Sequence, residues 1–279
     1  MLSRIAFVAA WLAWAGAALA QSDEPPLQLE GTLLKARATG AVTLAYRESS
    51  IPFSYLSGNG APIGYSIELC RKVVEAMQEA VGRELEIKWL PVTSDTRMQA
   101  IESGRADLEC GSTTSNLERA KRVAFSPTMF VSGTKLMVKR GSPIHSFRDL
   151  GGKTVVVTSG TTNEKAMRDL AAKFKIPMTI ATSRDHAESF TEVASGKADA
   201  FATDDVLLYG LIATRGERAR YDVVGEFLSY DPYGIMYRKG DAQLARLVND
   251  SFHDLAEDGE IERQYKRWFL KRLPSGPSI

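Results

Sequence analysis

The sequence predicts an α/β protein of two similar lobes, each a mainly parallel sheet flanked by helices. Three observations carry that expectation. Short apolar runs alternate with helical ones, and this β-α-β alternation runs twice along the chain, a pattern that places ligands at the carboxyl ends of parallel strands. The phrase Ile101-Glu-Ser-Gly-Arg-Ala-Asp-Leu in the first half returns as Val193-Ala-Ser-Gly-Lys-Ala-Asp-Ala in the second. Each reads as a helix end, a glycine C-cap and a strand start. Two turns, Cys110-Gly-Ser-Thr-Thr-Ser-Asn-Leu-Glu-Arg119 and Thr158-Ser-Gly-Thr-Thr-Asn-Glu164, then repeat one logic, each following an apolar run and opening a helical one.

The elements follow in order. Residues 1–20 read as a signal peptide, with Arg4 as its positive start, Ile5 to Ala17 as its apolar core and Ala18-Leu19-Ala20 as the cleavage site before Gln21. That run is too short to span a membrane, and no later stretch approaches the ~20 residues needed. A soluble protein exported to the periplasm is expected, without a lipid anchor, since the residue after the cleavage site is Gln21 and not a cysteine. After an unstructured leader from Gln21 to Pro26, Val42 to Tyr46 is a strand and Ser66 to Val81 a helix with Ile67, Val73, Val74 and Met77 on one face. Leu85 to Val92 alternates as a strand, Asp95 to Gly104 is a helix closed by glycine, and Ala106 to Cys110 is the next strand. In the second half, Lys135 to Lys139 is a strand followed by Phe147-Arg-Asp-Leu-Gly-Gly. Strand Lys153 to Thr158, helix Glu164 to Phe174, strand Met178 to Ile180, helix Ala187 to Ser195 and strand Ala200 to Ala202 complete the pattern.

The two turns carry the first chemical signal. Ser115 with Glu118, and Thr161 with Glu164, have the spacing of a capping box, so each turn presents a helix N-terminus with free N–H groups and a positive dipole end. One such turn is an ordinary connection. Two of them lined with hydroxyls suit a small anion that also carries donors, and an amino acid is such an anion.

Composition narrows the classes. The chain holds 35 Lys and Arg against 34 Asp and Glu, and loss of Arg4 with the signal peptide cancels the charges. Nucleic acid and anionic membranes are therefore not expected as partners. A mature chain of about 259 residues suits one large or two ordinary domains. Cys70 and Cys110 could pair in an oxidising compartment, but two buried unpaired thiols have at least equal support, Cys70 on a helix's apolar face and Cys110 at a strand end. No His/Cys cluster and no phosphate-binding G-x-x-x-x-G-K-[ST] occurs, so neither metal nor cofactor is expected. His145 and His253 read as isolated surface residues. Asp204 and Asp205, adjacent in a strand, would point to opposite faces and do not make a catalytic pair.

The chain resembles the periplasmic amino-acid-binding proteins of ABC transporters, solute-binding protein family 3, from about Gly31 to Leu273. The phrases that carry it are Ile51-Pro-Phe-Ser-Tyr with Gly64-Tyr-Ser-Ile-Glu-Leu, Glu118-Arg119 followed by Phe125-Ser126, Leu136-Met-Val-Lys, Asp149-Leu-Gly-Gly-Lys, Ser159-Gly-Thr-Thr and Lys266-Arg-Trp-Phe. Arg47-Glu-Ser-Ser-Ile-Pro-Phe-Ser-Tyr, Glu109-Cys-Gly-Ser-Thr-Thr and Val155-Val-Val-Thr-Ser-Gly-Thr-Thr are most like the receptors for glutamate and aspartate. Cys70 departs from the small apolar residue of many relatives, and the tail from Pro274 to Ile279 is short.

That resemblance implies a type II periplasmic-binding-protein fold, with lobe 1 formed by residues 31–130 and 234–273 and lobe 2 by residues 136–228. Segments 131–135 and 229–233 would form the hinge. It also implies a site residue by residue. Arg119 matches the bidentate partner of the ligand's α-carboxylate, helped by the backbone N–H groups of Thr114 and Thr162. Asp204, the Thr114 hydroxyl and a carbonyl near Ser112 match the acceptors of its ammonium. Arg47, Arg97 and His186 match positions facing the side chain, with Ser49 and Ser94 adding hydroxyls. Two guanidiniums and an imidazole that a bound anion would charge point to an acidic side chain, and to affinity that declines as pH rises. The bland reading makes Arg47 and Arg97 surface residues or partners of Glu48 and Asp95, and His186 a helix-start histidine.

A non-enzymatic receptor delivering glutamate or aspartate to an inner-membrane ABC permease, as a monomer, is the expected function. The alternative is an exported dehydratase of the same fold acting on arogenate or prephenate, with Glu48 or His186 as acid or base. A cyclohexadienyl ring, however, would want apolar walls rather than two arginines. The ectodomain of a larger receptor is a third reading, weakened because no membrane span or catalytic domain precedes Ile279.

Overall fold

Residues 28–270 are described by the structure, a computed structural model. The expected signal peptide, its cleavage site and residues 271–279 lie outside the described residues. The chain starts with helix α1 (Gly31–Thr39), strands β1 (Ala41–Tyr46), β2 (Ser49–Ser50), β3 (Ser54–Leu56) and β4 (Pro62–Ile63), and helix α2 (Tyr65–Val81). Strand β5 (Glu86–Pro91), helix α3 (Arg97–Glu102), strand β6 (Leu108–Glu109), a single 3-10 turn (Arg119–Lys121) and strands β7 (Val123–Phe125), β8 (Phe130–Ser132) and β9 (Thr134–Lys139) follow. Then come a 3-10 turn (Phe147–Leu150), β10 (Thr154–Thr158), α4 (Thr162–Phe174), β11 (Thr179–Ser183), α5 (His186–Ala194), β12 (Ala200–Asp204), α6 (Asp205–Thr214) and β13 (Tyr221–Val224). Strands β14 (Asp231–Tyr233) and β15 (Met236–Arg238), helices α7 (Ala242–Glu257) and α8 (Glu260–Tyr265), and a π-helical turn (Lys266–Leu270) end the described chain.

Two five-stranded sheets have matching orders, β5-β1-β6-β15-β7 and β11-β10-β12-β9-β13. In each, the first three strands are parallel and the fourth alone runs against the rest. Alternation along the strands fills both faces. Val155 and Val157 of β10 pack with Leu136, Val138, Ala200 and Ala202, whereas Val156 packs with Met137 and Phe201 on the other side. Helix α2 buries Ile67, Cys70, Val73, Val74 and Met77 against the first sheet's core and stops at Gly82.

The repeated phrase has a structural cause. Gly104 and Gly196 follow their helices with φ of 74° and 81°, which glycine adopts without strain. The aspartates three residues later, Asp107 and Asp199, each accept a 2.8 Å hydrogen bond from the first parallel strand of their own sheet, from the N–H of Thr43 and of Thr154. One punctuation thus joins helix to strand in both lobes.

The chain crosses between the sheets twice, through β8 and β14, which pair antiparallel as a two-stranded ribbon. Each crossing feeds the reversed strand of the next sheet, β9 and then β15.

Three expectations need correction. The helix expected from Asp95 begins at Arg97, because Thr93 and Thr96 bond each other's backbone N–H in a turn. The first hydroxyl turn opens only the 3-10 turn, and Asn116 rather than Ser115 caps it, its Oδ1 accepting from Arg119 N–H at 2.9 Å. The second turn is capped as expected, Thr161 Oγ1 accepting from Glu164 N–H at 3.1 Å. Finally, Cys70 and Cys110 are not free thiols but a disulfide, with Cα atoms 6.1 Å apart, tying α2 to the turn that follows β6.

Candidate functional site

The carboxyl ends of the parallel strands of both sheets face one another across a cleft whose open part, about 360 Å³, is lined by Ser94, Arg119, Gly160 and Thr162 among others. Arg47, Arg97, His186 and Asp204 are buried deeper and do not line that open part. Arg47 follows β1, Ser94 and Arg97 follow β5, and Ser112 to Thr114 follow β6. From the second sheet, Thr162 opens α4, His186 opens α5 and Asp204 ends β12. Arg47, Ser49, Ser94, Arg97, Ser112, Thr114, His186 and Asp204 are all buried, whereas Arg119 and Thr162 are partly exposed. The reading of Arg47 and Arg97 as surface residues is therefore overturned. Glu48 and Asp95, their suggested partners, make no hydrogen bond or ion pair with either arginine.

Three contacts cross the cleft. Thr114 and Thr162 hydroxyls lie 3.2 Å apart, Arg119 Nη2 donates to the Gly160 carbonyl at 3.2 Å, and Ala187 N–H donates to Ser49 Oγ at 3.4 Å. Arg119 also donates Nη1 to the Thr114 carbonyl at 2.9 Å, so its guanidinium spans both hydroxyl turns.

On one side of the cleft sits a cluster of cations. Arg97 Nη1 donates to Thr113 Oγ1 at 2.7 Å, and Thr113 donates in turn to Glu109 Oε2 at 2.6 Å. Arg97 Nε and Arg47 Nη2 are buried and have no hydrogen-bond partner among the described residues. Burial, then the Arg97 charge, pulls the Arg47 guanidinium down to about 10, and the same two causes pull Arg119 to about 9. His186 Nδ1 lies 2.8 Å from Thr158 Oγ1, leaving Nε2 as its available nitrogen. Burial, then Arg47 and Arg97, hold this imidazole well below its ordinary value. Without a ligand the imidazole is therefore held toward its neutral form, the state from which a bound anion would be expected to charge it.

The opposite side is acidic. Asp204 Oδ1 accepts from Asn163 at 2.8 Å, and its other oxygen accepts from the Tyr233 hydroxyl. Asp231, also buried, accepts from Thr114 Oγ1 at 3.1 Å and from Ser229. Burial, then the Asp231 charge, pushes Asp204 up to about 7. Glu109, Thr113, Asn163, Asp231 and Tyr233 escaped the sequence reading. Glu109 and Thr113 left a signal there, inside the quoted Glu109-Cys-Gly-Ser-Thr-Thr phrase, and Asn163 lies inside the second hydroxyl turn. Among the described residues no group of three or more His, Cys, Asp or Glu is arranged to hold a metal ion, and no helix is long and apolar enough to cross a membrane.

Two sheet-based lobes joined by a ribbon, with buried charges of both signs facing one cleft, define a receptor for a small charged solute. The chain belongs to the bacterial extracellular solute-binding proteins, family 3, whose pattern matches residues 42–271. It is 44% identical over 249 residues to the L-glutamate/L-aspartate-binding protein of Pseudomonas aeruginosa, covering 88% of this chain and 82% of that one. It is 39% identical over 259 residues to the glutamate/aspartate import solute-binding protein of Escherichia coli, covering 92% and 86%. Among solved structures, an ancestral amino-acid-binding protein described as a precursor of cyclohexadienyl dehydratase matches with a TM-score of 0.73 and 30% identity, over 85% of this chain and 99% of that one.

Proposed function

We propose that this protein captures an acidic L-amino acid, glutamate or aspartate, between its two lobes and delivers it to an inner-membrane ABC permease. The observation that carries this reading is the pair of buried arginine nitrogens, Arg47 Nη2 and Arg97 Nε, with no partner among the described residues. A buried donor on a charged group is costly unless an acceptor meets it, and a carboxylate is the acceptor that also balances the charge. Arg47, Arg97 and the neutral His186 take the side-chain carboxylate, with Ser49 and Ser94 beside them. Arg119, with the N–H groups of Thr114 and Thr162, takes the α-carboxylate. Asp204, assisted by the Thr114 hydroxyl and a carbonyl near Ser112, takes the ammonium. Segments 131–135 and 229–233, containing most of the β8–β14 ribbon, act as the hinge on which residues 31–130 with 234–273 close against residues 136–228. The mature monomer begins at Gln21 in the periplasm. The relatives' names support the ligand class, since both are named for glutamate and aspartate binding or import.

Calorimetric titration of the refolded protein against the common amino acids tests the ligand. Glutamate and aspartate are expected to bind far more tightly than neutral or aromatic amino acids. Comparable binding of the neutral ones, or turnover of prephenate or arogenate, would replace this reading with the dehydratase one.

The acidic side of the cleft gives a pH dependence. Ligand ammonium stabilises the ionised form of Asp204, so its pKa falls from about 7 on binding. Between the two values binding expels a proton, and affinity rises as pH climbs to about 7, then flattens. This is opposite in sign to the histidine-based expectation. Titrations just below neutral pH in buffers of different ionisation enthalpy should register the released proton, and identical heats in all buffers would remove Asp204 from the ammonium site.

A further inference from the structure

Glu109 is a buried carboxylate that the ligand contacts proposed above do not use. It lies on β6, fully buried, with Oε1 unpartnered and Oε2 accepting from Thr113. Arg97 has only donors, so Thr113 accepts from Arg97 and must donate its one hydroxyl proton to Glu109. On the other flank, a Cβ added to Gly111 would sit 2.2 Å from Glu109 Oε1 and 3.0 Å from Arg47 Cγ, so glycine there leaves room for both side chains. Glu109 is the strongest attractive charge acting on each of Arg47, Arg97 and Arg119.

The other charges near the two side-chain arginines are held differently. Asp95 is exposed, and Asp185 is committed to the Glu188 N–H and to Arg184, so both act on Arg47 more weakly than Glu109 does. Asp204 belongs to the ammonium side, and His186 is neutral. Two guanidiniums less one carboxylate leave a single positive charge where the ligand side chain would lie.

We propose that Glu109 is a specificity-determining residue, which fixes that charge at one so that the cleft takes amino acids with a singly charged anionic side chain and rejects doubly charged ones. The inference rests on the acidic-amino-acid reading of the site. It separates carboxylate and sulfonate side chains from phosphonates of similar shape. A second negative charge would meet the Glu109 carboxylate and could be balanced only by protonating His186, which burial and the two arginines oppose.

Homocysteate and 2-amino-4-phosphonobutanoate test this, because both end in a tetrahedral oxyanion and differ in charge. With the phosphonate doubly ionised, wild-type protein should prefer homocysteate by about tenfold or more. Glu109→Gln, whose amide oxygen can still accept from Thr113, should narrow that preference by about tenfold. Thr113→Val, which breaks the relay but keeps the charge, should weaken both ligands and leave their ratio unchanged. A ratio that Glu109→Gln leaves intact overturns the proposal, as does a narrowed ratio in Thr113→Val. Should Glu109→Gln not fold, the wild-type ratio decides: it should widen as pH carries the phosphonate from singly to doubly ionised, and a flat ratio refutes the assignment. Any ammonium-side proton linkage affects both ligands alike and cancels in that ratio. Wild-type protein that binds neither glutamate nor aspartate would instead bring down the reading of the site on which this inference stands.

Discussion

Replacing Arg97 with Met is expected to weaken glutamate and aspartate by ~2–5 kcal/mol, and Arg47→Met to do the same, while glutamine loses less. Each arginine is almost fully buried and offers an unpartnered nitrogen. Removing one leaves the ligand's distal carboxylate short of a charge partner in a desolvated site. The ligand-free protein should not suffer in proportion, because the deleted guanidinium is itself an incompletely paired buried charge beside a second cation. Thermal unfolding with and without saturating glutamate, read beside calorimetry, separates the two effects. The ligand-induced rise in Tm should shrink while the ligand-free Tm holds. Unchanged glutamate affinity in either variant would remove that arginine from the site.

The second large effect concerns stability. Cys70 and Cys110 close a loop with a sequence separation of 40 residues. By the chain-entropy relation, a cross-link of that span restrains the unfolded state by roughly 4 kcal/mol. The double variant Cys70→Ala with Cys110→Ala should lose about that much unfolding free energy in denaturant titration. A loss below about 1 kcal/mol would argue that the bond does not restrain the unfolded chain.

Much of the architecture was legible in the sequence because its causes are local. Strand alternation follows from the two-residue side-chain period, and the repeated Gly-x-Ala-Asp phrase encodes a helix stop plus an aspartate that bonds the neighbouring strand. The candidate site was legible only in part. Arg47, Arg97 and His186 stand at element ends where spacing says nothing about direction, so a resemblance was needed to bring them together. Pairing over long chain distances left no mark at all. Thr114 meets Asp231 across 117 residues, and Cys70 meets Cys110 across 40. Ser115 and Glu118 show the converse failure, a correct spacing without the helix: the side-chain cap comes one residue later, from Asn116 to the Arg119 N–H.

The position of β15 has a consequence for the order in which the molecule assembles. It lies inside the first sheet, and β7 has no other strand neighbour there. Yet it is encoded after the whole of the second sheet. A chain emerging amino terminus first therefore exposes an incomplete first sheet, with β7 unattached, until Met236–Arg238 has cleared. The second sheet, drawn from one unbroken stretch, needs nothing that comes later. Maturation should run inside out, the inserted lobe setting before the lobe that surrounds it in sequence, and the first lobe should stay unfinished and pliable until nearly all of the chain has passed.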